Sequence, residues 1–494
     1  MERYLLGIDV GTTGTKTLLF SETGRLCAHA YRAYPLLTPE VGRSEQNAED
    51  WWRAVAETVR EVCEKEQVGQ QVAAISLSAQ GGTVVPVDAQ NVPLRPAIVW
   101  NDARCQSQRD AYLETVGPAE TIYEKTGWRL GLSSVPLELR WLREQEPEVF
   151  AKAARFLTVP DYISVKMTGR AAVDLSNAGI NKLCDIRKAD YDETLMAFAG
   201  VTRAQLPEIV RSGEVIGHLT AQAAQELGLS TDAVLTAGAH DQYAVALGAG
   251  STKAGDILIG SGTCWVVTAM ADEPDFGSGL AQSVAAAPGM WGSLWSLSSG
   301  GVCLDWLRKN VLTGQDSQTP DYGILNEEAA GRKAAESGLF FFPFSGIAGD
   351  GKRFGKATFT GLDLSHDRYD MTRAVMEGVA FQVVWMMESF KAKPSQEGIK
   401  LAGGASKSAL WCRILADISG LPVRIPEVPD LACVGAAVLA GFGCGLFETP
   451  EEGCRRLAVG EQVLRPDPER VKIYAPLAAE YRRQAAALQA VYGL

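Results

Sequence analysis

No cysteine pair in the sequence has CxxC spacing, and the ten cysteines are scattered singly from Cys27 to Cys454. That excludes a zinc ribbon and argues against a disulfide framework, so the thiols read as reduced ones in a cytosol. Histidine is scarce, and its four residues have no metal-ligand spacing. A basic excess is also missing: the formal net charge is −12 and the pI is near 5.1. Phosphate-neutralising Lys and Arg are needed to hold nucleic acid or an anionic membrane, so neither is an expected partner. No low-complexity segment or charge block interrupts the chain. The N-terminal MERYLLGIDV reaches Asp9 too early to contain a signal peptide's apolar region, and a cytoplasmic location is expected. The longest uncharged run, the seventeen residues of Leu431–Phe447, contains four glycines and many alanines. It falls short of a membrane span and reads as a buried helix packed close to another backbone.

What is present is glycine and threonine between short apolar strands. Leu5–Phe20, LLGIDVGTTGTKTLLF, reads as strand, turn, strand. Gly11 and Gly14 free the turn, Thr12, Thr13 and Thr15 supply hydroxyls, Lys16 a cation and Asp9 a carboxylate. Amides and a lysine suit a phosphate, and a carboxylate suits its hydrated Mg2+; taken alone, the stretch is equally an ordinary hairpin. Asp256–Val267, DILIGSGTCWVV, repeats the plan some 250 residues later. There Gly262 and Thr263 fall on Gly11 and Thr12, while Gly260 and Val267 replace Asp9 and Lys16. Two such turns predict two related domains acting on one nucleotide.

The rest of the pattern extends this. A third strand is expected over Arg25–Tyr34, an amphipathic helix over Ala48–Glu66, and strands over Val72–Ser78 and Thr83–Val87. By analogy, that order matches the ribonuclease-H-like half-domain of actin-like ATPases. Residues 103–233 show mostly helical patterning, with GPAETIYEKTG and VPLELRWLREQEPEVF as helices. A strand over Val234–Ala239 leads to His240-Asp241, and Gly248–Lys253 reads as a hinge. Beyond it the expected elements are a hairpin, a helix over Val302–Val311, a loop-rich stretch to Leu364, a helix over Met371–Phe390, a strand over Ile399–Ala402 and a helix over Ala409–Ser419.

Several residues in this frame could carry chemistry. Asp241, after a strand and before a small-residue helix, suits a general base that takes the proton of an attacking hydroxyl; a helix N-cap is the plainer reading. Trp100-Asn101-Asp102-Ala103-Arg104 offers an aromatic face and polar groups for a polyol, or else an Asx turn with a surface arginine. Gln80 ends a neighbouring strand, and Gly81 and Gly82 beside it leave open space. Gly403 and Gly404, with Ser408 nearby, would admit an adenine or a phosphate, although a lone glycine pair is a weak signal. Gly346–Arg353 fits GxxxxGK but has Arg353 where a P-loop needs Ser or Thr, and no amphipathic helix follows, so a P-loop is rejected.

Together, DVGTTGTK, SLSAQGG, AIVWNDAR, GAHDQ, GSGTCWVV, GLDLSHDRYDMTRAVMEGVAF, LAGGASKSALWCRILADISGLPV and VGAAVLAG resemble, in order, the FGGY carbohydrate kinase family, with xylulokinases nearest. The resemblance runs to about Phe447. It implies an α/β fold of two ribonuclease-H-like (actin-like ATPase) domains with a cleft between them. The domains would span 1–247 and 254–447, with a C-terminal helical extension over 448–494. Asp241 becomes the base and Asp9 a Mg2+-associated carboxylate. Gly11, Thr12, Thr13, Lys16, Gly262, Thr263, Gly301, Gly403, Gly404 and Ser408 fall at the ATP, and Gln80, Gly81, Trp100, Asp102, Asp241 and Gln242 at the sugar. The implied reaction is ATP-dependent phosphorylation of a small sugar or polyol, with xylulose to xylulose 5-phosphate leading; a homodimer is compatible with it.

Two departures bear on the substrate. Xylulokinases usually have Met-His, and glycerol kinases Arg-Glu, where this chain has Gly81-Gly82. A Gly-Glu-Arg-Thr-Pro pattern is replaced by Ser345–Asp350. Fewer side chains on one wall imply a larger pocket, which keeps gluconate, a ribulose-type ketose, another polyol or a linear signalling sugar as alternatives. A nucleotide-dependent scaffold of actin or chaperone type would keep both turns but lack the Trp100 cluster.

Overall fold

The computed structural model describes residues 2–313, 319–344, 346, 356–458 and 460–492. The chain forms two compact units, and neither is continuous in sequence. The first gathers Met1–Lys253, Met270–Ser293 and Val428–Ala458; the second gathers Ala254–Ala269, Leu294–Glu427 and Val459–Leu494. In packing, therefore, the segments expected over 1–247 and 254–447 exchange short pieces of chain. The expected extension is divided too: residues up to Ala458 belong to the first unit, and the remainder holds a strand, Glu461–Leu464, as well as the helix Pro468–Tyr492.

In the first unit a six-stranded sheet runs Val215–His218, Val234–His240, Val72–Ala79, Tyr4–Val10, Gly14–Ser21, Leu26–Ala33. Tyr4–Val10 is buried along its whole length, antiparallel to Gly14–Ser21 and parallel to Val72–Ala79. A strand covered on both faces must be apolar at successive positions, which explains its YLLGIDV run, where Asp9 is the one charged residue. The helix Ala48–Glu66 covers one face with Trp51, Val55, Val59 and Val62, and is capped by the Asn47 side chain.

The uncharged run forms the helix Leu431–Gly443, buried from Leu431 to Gly441 and packed on Tyr4–Val10 and on the helix Asp241–Gly248. Glycine sets that spacing: a Cβ on Gly435 would lie 2.0 Å from the Ala244 carbonyl oxygen. No helix among the described residues is long and apolar enough to cross a membrane.

Residues 103–233 are mostly helical as expected, with short strands between the helices. The region contains the strands Arg155–Thr158, Ala172–Asp174, Glu208–Val210 and Val215–His218. They are three or four residues long and held by partners elsewhere in the chain, as Arg155–Thr158 is by Val84–Val87, so no local period betrays them. VPLELRWLREQEPEVF breaks into Val135–Gln145 and Pro147–Lys152, because Pro147 disfavours helical backbone at Glu146.

The second unit's sheet carries Trp291–Leu297, Trp265–Ala271, Ile257–Ser261, Ile399–Gly403, Val423–Pro426 and Glu461–Leu464 side by side. Its hairpin again lies beside a parallel strand, with Ser261 opposite Gly403. The stretch expected to be loop-rich also contains the helix Tyr322–Ala330 and the strands Phe340–Phe342 and Thr358–Thr360. The rejected P-loop look-alike lies outside the described residues except for Gly346.

Candidate active site

Three parallel strands of the first unit end at one edge of its sheet, where Asp9 is level with Ser78 and His240 with Ala79. Carboxyl ends of parallel strands are where α/β sheets present functional groups, because chain turning into a helix leaves side chains unpaired there. Asp9 is 9% exposed, and its Oδ1 accepts from Ser78 Oγ at 2.8 Å. Burial, then the negative charge of Asp430, push its carboxyl up to about 7, against the lowering effects of the Ser78 hydrogen bond and Lys16. Asp241 adds a third carboxylate within electrostatic reach of Asp9.

Asp241 is the first residue of its helix, and the cap is His240. Its Oδ1 accepts from the Gln242 amide at 2.6 Å and lies 3.2 Å from His240 Nε2, while the side chain remains 34% exposed. A carboxylate held on one oxygen and open on the other can accept a proton from a bound hydroxyl.

The threonine turn is closed by the Gly11 amide donating to the Gly14 carbonyl at 3.1 Å. Trp100 Nε1 donates to Thr12 Oγ1 at 3.0 Å, Thr12 Oγ1 to Gln80 Oε1 at 3.0 Å, and Gln80 Nε2 to Gln46 Oε1 at 2.9 Å. Gln80 is 2% exposed and holds the turn to the Trp100 loop, whereas the Trp100 ring is half exposed. Thr13 is exposed, and its carbonyl accepts from Tyr31 and Tyr34.

Asp102 turns away from any ligand. Its Oδ1 accepts from the Arg104 amide and Nε, and its Oδ2 from the Ser44 amide and Arg104 Nη2, so each oxygen already takes two hydrogen bonds. Arg104 is buried, pairs with Glu45 at 2.8 Å and stacks 4.8 Å from the Trp141 ring centre. The expected polyol contact is therefore an internal Asx turn that shapes the Trp100 loop.

The open space expected beside Gly81 is also absent. A Cβ on Gly81 would lie 2.4 Å from Ile180 Cγ2 and 2.8 Å from His240 Cδ2, so Ile180 fills the place a side chain would take. Gly82 has φ +70°, a left-handed conformation that favours glycine.

Lys16 Nζ lies 2.6 Å from Asp430 Oδ2, and Asp430 Oδ1 caps the helix Leu431–Gly443 by accepting the Cys433 amide at 3.0 Å. Asp430 is the functional-site residue missed by sequence reasoning. Its position before an apolar run signals a helix cap, but nothing local points to Lys16.

In the second unit, a cavity of about 640 Å³ is lined by Ser261, Gly262, Thr263, Gly301, Gly404, Ser408 and Trp411, among others. The Gly301 and Val302 amides donate to the Gly262 and Thr263 carbonyls, both at 3.2 Å, which seats the helix Gly301–Asn310 on the turn. Ser408 caps the helix Ala409–Ser419 by accepting the Trp411 amide at 3.0 Å, and its hydroxyl also contacts Asn326. Gly403, with φ +96°, turns the chain into this lining. The volume is that of a small-molecule or cofactor site.

The paired hairpin-and-parallel-strand units match known proteins throughout their length. Residues 4–248 match the N-terminal domain, and 256–444 the C-terminal domain, of the FGGY family of carbohydrate kinases. The chain is 30% identical over 492 residues to a xylulose kinase of Escherichia coli, covering 97% of this chain and 98% of the relative. It is 27% identical over 461 residues to a gluconokinase of Bacillus subtilis, covering 91% and 89%. The crystal structure of a xylulose kinase from Rhodospirillum rubrum superposes with a TM-score of 0.90 at 27% identity, covering all of both chains. The architecture is the two-domain, actin-like ATPase fold of sugar kinases. The chain belongs to the FGGY family of carbohydrate kinases, enzymes that draw their phosphoryl group from ATP.

Proposed function

We propose that the protein transfers the γ-phosphoryl group of ATP to a primary hydroxyl of a small sugar or polyol, with xylulose, giving xylulose 5-phosphate, as the leading acceptor. The observation that carries this reading is Asp241, a half-open carboxylate held at the end of a buried strand. The acceptor oxygen attacks the γ-phosphorus, its proton passes to Asp241, and ADP leaves. Phosphoryl transfer asks the protein mainly for positioning and charge stabilisation, which fits a base fixed by His240 and the Gln242 amide. The exposed Trp100 ring would offer an apolar face to the carbon chain, and Gln242, next to Asp241 in sequence, would add a polar group. The cavity lined by the Gly262-Thr263 turn, Gly301, Gly404 and Ser408 would take the nucleotide, and Thr12, Thr13 and Lys16 of the first unit would supply hydroxyls and a cation for phosphate oxygens.

Mg2+ fits the first unit's acidic edge: a cation would offset the burial and the Asp430 repulsion that raise Asp9. No three His, Cys, Asp or Glu side chains among the described residues cage a metal, as suits an ion that arrives with the nucleotide through one or two carboxylates. Asp9 would hold it, and bound Mg2+ would neutralise phosphate charge. Coupled ADP release with a sugar panel tests the proposal: turnover should rise with xylulose or another small polyol, and ATP hydrolysis indifferent to every polyol would reject it.

A further inference from the structure

We infer that Ser176 is a positioning residue for the proton-accepting step: its hydroxyl, oriented by the buried carboxylate of Asp174, fixes the backbone that carries Asp241. This goes beyond the kinase reading above and rests on it.

The contacts pass from one element to another. Asp174 ends the strand Ala172–Asp174 and caps the short helix Leu175–Ile180; its Oδ1 accepts the Asn177 amide at 3.0 Å and its Oδ2 accepts Asn177 Nδ2 at 2.6 Å. The Ser176 hydroxyl donates to Asp174 Oδ1 at 2.5 Å. A hydroxyl has one proton to give, so with that proton committed to the carboxylate its oxygen meets other groups as an acceptor. The group it accepts is the backbone amide of His240, 64 positions later, at 2.8 Å. Asp174, Ser176 and Asn177 are all buried.

A helix cap alone does not require this arrangement. The Asn177 amide satisfies the cap, while burying a carboxylate is costly and raises the Asp174 carboxyl against the hydrogen bonds from Asn177 and Ser176. The further demand comes from the end of the strand Val234–His240. Its neighbour Val215–His218 pairs with it no further than Thr236, so the His240 amide needs a partner from elsewhere. Ser176 is that partner.

The base depends on this bond because its own contacts are local. Asp241 Oδ1 is held by the Gln242 amide and by His240 Nε2, each from an adjacent residue, so the carboxylate moves with the backbone at 240–242. The His240 ring adds packing, 5.9 Å from the Trp128 ring and 5.8 Å from that of Tyr243, and its buried Nδ1 has no hydrogen-bond partner among the described residues. Ser176 and the pairing of His240 with Ala79 fix that backbone from two different elements. A displacement of about 1 Å at a reacting group can cost about 10²-fold in rate.

The test is kcat and KM, by coupled ADP release, with whichever of D-xylulose, D-ribulose, xylitol and D-gluconate turns over fastest. Ser176→Ala should lower kcat per folded molecule by about 10- to 100-fold, with KM for the acceptor and for MgATP within about twofold of the wild type. Placed on Asp241→Asn, the same substitution should cost less than about twofold, because the group it positions is already gone. Ser176→Cys keeps the volume but accepts the amide weakly, and gives the same comparison if the alanine variant fails to fold. Equal fold losses with and without the Asp241 carboxylate, a loss confined to KM, or an unchanged kcat overturns the role given to Ser176 and leaves the kinase intact. Near-normal turnover by Asp241→Asn removes the base and this inference with it, and wild-type turnover of none of the four acceptors overturns the kinase reading itself.

Discussion

Lys16 and Asp430 stand 414 positions apart in the chain and meet with Nζ 2.6 Å from Oδ2. Burial, and after it the negative charge of the same aspartate, raise the Asp9 carboxyl, so one side chain engages the cation of the threonine turn and adds to the shift of the carboxylate beside it.

The first prediction concerns pH and activity. With the Asp9 carboxyl at about 7, kcat/KM for MgATP should climb through neutral pH as that group ionises. Asp430→Asn keeps the helix cap but removes the charge, and should move this limb to lower pH by up to about one unit. A pH–rate profile unmoved by the substitution rules Asp430 out as its cause.

Stability should show the opposite side of the same shift. A carboxyl raised from 3.8 to about 7 binds more protons folded than unfolded between those values, so its contribution is present at low pH and lost as pH rises through that window. Asp9→Asn should therefore melt higher relative to the wild type at pH 8 than at pH 4, by roughly 2–4 °C for each kcal/mol relieved. Calorimetry in both buffers measures the difference; a constant offset would count against the shift.

Removing the proposed base is the sharpest functional test. Asp241→Asn keeps the size of the side chain and should lower kcat by about 10²–10⁴-fold while leaving the melting curve near that of the wild type. Near-normal turnover would remove Asp241 from the mechanism.

The glycine wall makes a prediction opposite to the one its composition suggests. Because Ile180 and His240 occupy the place beside Gly81, Gly81→Met should destabilise the protein by about 1–3 kcal/mol and should not simply restore a xylulokinase-like contact. Gly81→Ala with Ile180→Ala should recover part of the loss of Gly81→Ala alone. Additive losses in urea melts would show that the two positions do not share the space.

Local signals were readable from the sequence and distant ones were not. The helix Ala48–Glu66 and both glycine-threonine hairpins follow from period and turn chemistry within twenty residues or so, and the structure has them in place. For Asp102 the sequence left a ligand contact and an Asx turn both open, because Arg104, which engages the carboxylate, is buried by Trp141 from a separate helix. Gly81 was misread for a related reason: absent side chains imply room only if nothing else moves in, and Ile180 comes from a helix far along the chain. Asp430 could be recognised as a cap, but its partner lies at the other end of the sequence.

The helix Leu431–Gly443 has a consequence for how the molecule is made. It lies against the very first strand, yet it leaves the ribosome only after more than four hundred residues have been synthesised. Until then Gly7 and its neighbours lack the surface that buries them, so the N-terminal half cannot reach its finished core during translation. Expressing residues 1–247 alone should give an aggregation-prone fragment, and supplying the 428–458 segment in trans should improve its solubility.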